Sequence, residues 1–284
     1  MDMVTVNHIS LAAEDIGAGP PVVFVHGSWS DRHAWDLTAP ALTDQFRVIT
    51  YDRRGHSQSE RPPGTPGLAA HAADLAALID HLEAGPAHIV TSSFGGVVAL
   101  EVAVSHPDRV ASLCLHEPPA FALVQDDPEL RTALEQARQL EQQVVDEIRA
   151  GNHERAARTF VELVLGPGAW ELFPEQVRRT MVHNAGTVPG DFDAEYHTPN
   201  PARLSTITKP VLLTGGGQSP PDVPFAIILD RLAAVLPAAD RYTFQQAGHV
   251  PHRTDPEELG RVVADFVTEH AHSDRHDTKD PLGA

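Results

Sequence analysis

From Pro21 to Val267 the chain alternates two hydrophobic patterns. Short continuous apolar runs are separated by stretches whose apolar residues recur three or four positions apart. The runs Pro21-Val22-Val23-Phe24-Val25, Arg47-Val48-Ile49-Thr50-Tyr51, Ala87-His88-Ile89-Val90, Val110 to His116, Pro210-Val211-Leu212-Leu213-Thr214 and Arg241 to Gln245 read as strands. Leu68 to Leu82, Val97 to Ala103, Ile227 to Leu236 and Pro256 to Val267 read as helices. Val4 to Ile16 reads as an alternating strand or hairpin in front of them. Strands alternating with helices predict an α/β fold, a mostly parallel sheet covered by helices on both faces.

The alternation stops between about Ala120 and Leu204. Ala133, Ala137, Leu140, Val144 and Ile148 recur there at helical spacing among charged residues. Further helical stretches follow at Ala156 to Leu165 and Glu175 to Met181. This predicts a helical cap over residues 120–204, inserted into a core domain made of residues 1–119 and 205–270. Trp170, Phe173, Met181 and Phe192 are the cap residues expected to line a substrate pocket or to fill the cap's own core. The polar end, residues 271–284 beside His270, reads as a disordered tail. Its histidines, His272 and His276 among them, are not expected to hold a metal.

Composition narrows the function. A formal charge of −18 over 284 residues disfavours nucleic acid and anionic membrane as partners. A single cysteine, Cys114, cannot form an intrachain disulfide and is consistent with a reducing, cytoplasmic compartment. It lies inside a strand and reads as a small buried hydrophobe. Neither a signal peptide nor a bilayer-spanning run is expected. Gly215-Gly216-Gly217 has no lysine at phosphate-loop spacing and reads as a tight strand end, so no cofactor is expected.

The densest chemistry is Thr91-Ser92-Ser93-Phe94-Gly95-Gly96, between a strand and a helix. A serine there can sit on a sharp turn that lifts its hydroxyl above the sheet, with small residues allowing strand and helix to approach. Ser93 is the candidate nucleophile; Ser92 lacks the small neighbours. The plain alternative is a helix N-cap. A hydroxyl needs a base, and His249, in Ala247-Gly248-His249-Val250-Pro251 between the last strand and last helix, is the candidate, with His252 as fallback. The base needs a carboxylate to hold its tautomer. Glu117 follows the strand after the nucleophile's helix, at the carboxyl edge where function concentrates in open sheets; Asp222, beyond Ser219-Pro220-Pro221, is the alternative. Phe94 and Ser28 are the expected N–H donors to an oxyanion. Trp29 is expected to line the pocket or to pack beneath the cap. Asp52-Arg53-Arg54-Gly55-His56-Ser57 reads as ion pairing and turn structure.

Together, His26-Gly27, Asp52-Arg53-Arg54-Gly55, Thr91 to Gly96 and Gly248-His249, in that order, resemble the α/β-hydrolase family. The resemblance spans most of the chain outside the cap and implies the order nucleophile, acid, base. Thr91 departs from the first glycine of the G-x-S-x-G elbow. Ser219 stands where the family's acid is commonly found. Cys114-Leu115-His116-Glu117-Pro118 further resembles zearalenone-type lactone hydrolases, which implies Glu117 as the acid. The expected function is hydrolysis of a small-molecule ester or lactone by Ser93, His249 and Glu117 through an acyl-enzyme. The alternatives are carbon–carbon bond hydrolysis, a cofactor-free lyase, or a binding protein that has lost turnover.

Overall fold

The protein is described by a computed structural model covering residues 1–271. Eight strands form one sheet: β1 (Asp2–Val6), β2 (Ile9–Ile16), β3 (Pro21–Val25), β4 (Arg47–Tyr51), β5 (Ala87–Ser92), β6 (Val110–His116), β7 (Val211–Gly216) and β8 (Ala239–Phe244). Their spatial order is β1-β2-β4-β3-β5-β6-β7-β8. The hairpin β1–β2 and the pair β2–β4 are antiparallel, and every pair from β4 onward is parallel. This is an α/β-hydrolase fold, with a mostly parallel sheet flanked by helices and a helical insert.

The continuous apolar runs follow from burial on both faces. Val23, Val25, Ile89, Leu113, Leu115, Val211 and Leu213 meet α1 (Leu68–His81), α2 (Phe94–Ser105) and, later in the chain, the helix Phe225–Val235 on one side. Val22, Phe24, Val90, Cys114 and Leu212 meet the final helix Pro256–Ala271 and Trp35 on the other. Cys114 is a core side chain, and burial pushes its thiol up to about 12.

Between β6 and β7 the chain makes no strand. It forms α3 (Arg131–Arg149), α4 (His153–Leu165), α5 (Ala169–Leu172), α6 (Glu175–Asn184), α7 (Val188–Glu195) and α8 (Pro201–Leu204). After β7 come α9 (Phe225–Val235), α10 (Pro251–Thr254) and α11 (Pro256–Ala271). The buried row on α3 begins at Leu134, whereas Ala133 is exposed. Alanine offers little area to bury, so the helix turns its larger neighbour inward. Helix α11 runs to Ala271, one residue into the segment expected to be tail; the rest, 272–284, lies outside the described residues. Among the described residues, no helix is long and apolar enough to cross a membrane.

The insert is joined to the sheet domain by polar as well as apolar contacts. Arg53, fully buried after β4, pairs with Asp191 of α7 at 2.8 Å. Nearby, Glu195 of α7 and Glu141 of α3 are carboxylates in a poorly solvated place. Burial, reinforced by the charges of Glu141 and Asp191, holds Glu195 well above its ordinary value. Burial raises Glu141 to about 7, against the Tyr196 hydroxyl that donates to it and the charge of Arg138. A folded state that keeps these protons while the unfolded chain releases them near its ordinary 4.5 loses stability as pH rises through that interval. For Glu141 the penalty is absent below about 4.5 and complete above about 7. Melting is therefore expected to fall by ~5 °C from pH 5 to pH 8, for a linkage of about 2 kcal/mol. Glu141→Gln should make that slope shallower and leave the part that Glu195 contributes. An unchanged slope in thermal melts of Glu141→Gln would remove Glu141 as its source.

Candidate active site

Ser93 stands between β5 and α2 with φ 52° and ψ −126°. This is a left-handed backbone on a non-glycine residue, a strained conformation that surrounding structure must enforce. The enforcement is visible: Ser93 N–H donates to His116 O at 2.8 Å, and Gly96 N–H donates to Ser93 O at 2.8 Å. The hydroxyl makes no capping bond to α2, and a capping residue ordinarily has extended backbone, so the N-cap alternative does not describe this turn. The strand carries two residues further than its apolar run, through Thr91 and Ser92. The helix starts at Phe94, ahead of the run beginning at Val97.

Thr91 occupies the place of the missing elbow glycine without displacing the turn. Its methyl and hydroxyl are buried, and Thr91 Oγ1 donates to Cys114 O at 3.3 Å. The room comes from Gly96, where an added Cβ would lie 3.3 Å from Thr91 Oγ1 and 2.7 Å from Pro118 Cβ. On the other side, the loop after β3 crosses directly over the elbow. A Cβ on Gly27 would lie 3.1 Å from Ser93 Cβ. Ser28 N–H and Phe94 N–H make no hydrogen bond among the described residues, which leaves both donors open for an oxyanion.

That loop is fixed from beneath. His26 Nε2 accepts from Arg53 N–H at 2.9 Å, so its Nδ1 carries the proton that goes to Gly27 O at 2.8 Å. Burial and the nearby Arg53 charge keep His26 neutral, as this tautomer requires. The Arg53 guanidinium donates to His26 O and Gly27 O at 3.2 Å each, lies 4.6 Å from the Phe94 ring centre, and ends on Asp191. Asp52 binds Arg32 at 2.7 Å and Arg54 binds Asp74 at 2.5 Å. The segment expected to be ion-pairing structure thus also holds the loop that carries Gly27 and Ser28.

His249 and Glu117, 132 residues apart in sequence, meet through a 2.7 Å bond from Nδ1 to Oε2. Glu117 follows β6 with φ 41°, a second strained residue at the same sheet edge. Its Oε1 accepts from Gly216 N–H at 2.8 Å and from Ser219 Oγ at 2.7 Å. Burial pushes the Glu117 carboxyl up. The His249 hydrogen bond and charge, with His116 and the Gly216 N–H, outweigh it and bring the group to about 2, so it is ionised. Ser219 therefore serves the carboxylate as a donor. Asp222 is exposed, and His249 Nδ1 is already occupied by Glu117. The alternative acid does not meet the imidazole.

Phe225 stacks on the His249 ring, with centres 4.4 Å apart and planes 9° apart. His252 packs its ring on Trp35 at 5.3 Å, and burial keeps it neutral. It shares the cavity wall with Ser93 without bonding to it. No hydrogen bond joins Ser93 to His249 among the described residues; both face one cavity of about 330 Å³. Such bonds are often loose without substrate and tighten in the reacting complex.

Gly27, Ser28, Ser93 and His249 line the cavity. Its apolar walls include Trp29, Phe160, Val164, Phe173 and Met181. Trp29 lines the cavity and stacks on Phe160 of α4 at 5.5 Å. Phe173 and Met181 line the cavity, whereas Trp170 and Phe192 fill the interior of the insert. His116, Glu117 and His249 also bring three potential metal-ligating atoms within 4.8 Å. The 2.7 Å contact between two of them is a hydrogen bond, tighter than the spacing of two ligands each about 2 Å from a tetrahedral ion.

A model of the alpha/beta hydrolase fold matches residues 20–256. An alpha/beta hydrolase from Sphaerobacter thermophilus DSM 20745 superimposes with a TM-score of 0.76 at 28% identity, covering 93% of this chain and 99% of that one. A thermophilic esterase from Thermogutta terrifontis, solved with malate bound, gives 0.74 at 28% identity over 94% and 97%. A 2-hydroxy-6-oxo-2,4-heptadienoate hydrolase of Pseudomonas putida is 38% identical over 117 residues, 40% of this chain and 42% of that protein. The chain spans about half or less of the length of the first curated relatives it matches.

Proposed function

The chain belongs to the α/β hydrolase fold family, and from that premise we propose that it is a cofactor-independent serine hydrolase of a carboxylic ester or lactone. Ser93 is the nucleophile, His249 the base, Glu117 the orienting acid, and the N–H groups of Phe94 and Ser28 the oxyanion donors. The observation that carries this reading is the 2.7 Å bond between Glu117 and His249 beside a strained, uncapped Ser93.

With Nδ1–H held by Glu117, the lone pair of His249 is on Nε2 and available to the serine proton. Ser93 Oγ adds to the carbonyl as His249 takes that proton. Charge gathers on the carbonyl oxygen, where the two N–H donors receive it. His249 then protonates the departing alkoxide, leaving an acyl-enzyme on Ser93. A water gives its proton to His249 and its hydroxide to the acyl carbon, and Ser93 is regenerated as the acid departs. Insert residues 120–204 act as a cap that shapes the apolar pocket. The solved esterase at 28% identity supports the ester class.

Two measurements test the reading. A fluorophosphonate should label the protein once, at Ser93. A panel of esters and lactones incubated in ¹⁸O-water should yield ¹⁸O-labelled acid with an alcohol, or a labelled hydroxy acid from a lactone. Labelled acid accompanied by a ketone would instead assign carbon–carbon bond hydrolysis. Products free of ¹⁸O would assign a lyase, and the absence of both labelling and turnover would leave a binding protein.

A further inference from the structure

Arg253 lies on α10, four residues beyond His249. It lines the cavity above Ser93 and also an adjoining cavity of about 420 Å³. Both cavities share Phe173, Leu165, Val250 and His249 with it, so Arg253 borders the place where they adjoin.

Carboxylates outnumber cations in this chain, 39 to 21, and a half-buried arginine would ordinarily take one. Arg253 has not. Among the described residues, its guanidinium makes no ion pair and no hydrogen bond, and it lies 5.9 Å from the centre of the Phe173 ring. The acidic groups close enough to act on it are Asp31 and Asp36. Both are engaged elsewhere. Asp31 accepts from His33 N–H, Ser57 Oγ and Thr180 Oγ, and Asp36 faces His33 at 3.0 Å. Burial draws the Arg253 pKa down, as expected of a cation short of solvent and partners. It stays charged, because a guanidinium does not lose its proton in proteins. Its nitrogens keep some accessible surface, and the residue lines both cavities.

We propose that the substrate carries a second, non-reacting carboxylate, which Arg253 grips while the scissile carbonyl sits over Ser93; this deepens the ester or lactone reading and rests on it. The fork of N–H donors matches a planar carboxylate. Phe173, Leu165 and Val250 line both cavities with Arg253, so a hydrocarbon segment joining the substrate's two ends has apolar surface to lie against. Asp31 and Asp36 offset the field of Arg253 at a distance. Selectivity therefore comes from directed hydrogen bonds, and neutral esters lose it.

The test is a series of 4-nitrophenyl monoesters of adipate, pimelate and suberate, chains too long for rapid anhydride closure, each beside its methyl-capped analogue. At one chain length or more, kcat/KM of the free carboxylate should exceed that of its capped partner by about 10- to 100-fold, mainly through KM. In Arg253→Gln that ratio should collapse toward one; Arg253→Lys, a point charge without the fork, should keep part of it. A ratio near one throughout the parent series, or a ratio unmoved in Arg253→Gln, overturns the proposal. A binding arm separates this from failure of the hydrolase reading. Monomethyl adipate is titrated into Ser93→Ala and into Ser93→Ala/Arg253→Gln, where turnover plays no part. Weakening by about 10-fold or more in the second supports the carboxylate grip, and equal affinity overturns it.

Discussion

Ser93→Ala should lower kcat on any turned-over ester by about 10⁴- to 10⁶-fold, as removal of a triad nucleophile does, while melting within ~2 °C of the parent. The two halves of this expectation have separate causes. In the proposed mechanism Oγ forms the acyl bond, and the adjacent hydroxyl of Ser92 does not take its place. Ser92 lines the same cavity but belongs to β5, where its backbone is tied into the sheet beside β6. The fold, by contrast, uses only the backbone of residue 93. Its N–H holds His116 O and its carbonyl receives Gly96 N–H, and both bonds survive in alanine. The positive φ costs alanine about what it costs serine, since both carry a Cβ. Because the hydroxyl does not cap α2, its loss removes no helix bond. Fluorophosphonate labelling should vanish with turnover. Parental rates in a folded Ser93→Ala protein would refute the nucleophile assignment, and a folded, labelled variant would move it to another residue.

The sheet was legible because burial on both faces leaves an unbroken apolar run at each central strand, as in Pro21–Val25 and Val110–His116. The boundaries shifted where local preference and tertiary demand disagree. Gly95 and Gly96 are poor helix formers, which puts the apparent start of α2 at Val97; the elbow nevertheless winds them into the first turn. The candidate site was legible for a related reason. Residues at the carboxyl ends of parallel strands share one edge, so a serine after β5, a glutamate after β6 and a histidine after β8 are neighbours by topology alone. Contacts that depend on the insert carried no such signal. Arg53 with Asp191, separated by 138 positions, and Arg253 with Phe173 follow from how helices settle on the sheet, which no local pattern encodes. Phe225 reads as one more apolar helix residue until its ring is seen flat against His249. Ser219 was visible as the absence of an acid; its service as a donor to Glu117 depends on the fold of the loop after β7.

Glu117→Gln should lower kcat by about 10⁴-fold, the scale seen when an orienting carboxylate becomes an amide, whereas Asp222→Asn should stay within ~2-fold. The reason lies in what each oxygen of Glu117 accepts. Oε1 takes two donors, Gly216 N–H and Ser219 Oγ, and Oε2 takes His249 Nδ1–H. A glutamine has one acceptor oxygen. If that oxygen stays with Gly216 and Ser219, its NH₂ faces Nδ1, and His249 must place its proton on Nε2. The lone pair needed by Ser93 is then gone. If the amide flips, NH₂ meets the Gly216 N–H, donor against donor, and a buried bond is lost. The first arrangement satisfies more bonds, so the wrong tautomer prevails and catalysis fails in a folded protein. Stability gives an independent reading of the same group. Glu117 titrates near 2, below its ordinary 4.5, so its contribution is present above about 4.5 and is lost as pH falls toward 2. Glu117→Gln should flatten that acid limb, and Asp222→Asn should leave it in place. A near-parental rate in Glu117→Gln with a collapse in Asp222→Asn would transfer the orienting role to Asp222. It would also require the loop after β7 to move its exposed carboxylate onto a histidine nitrogen that Glu117 now holds at 2.7 Å.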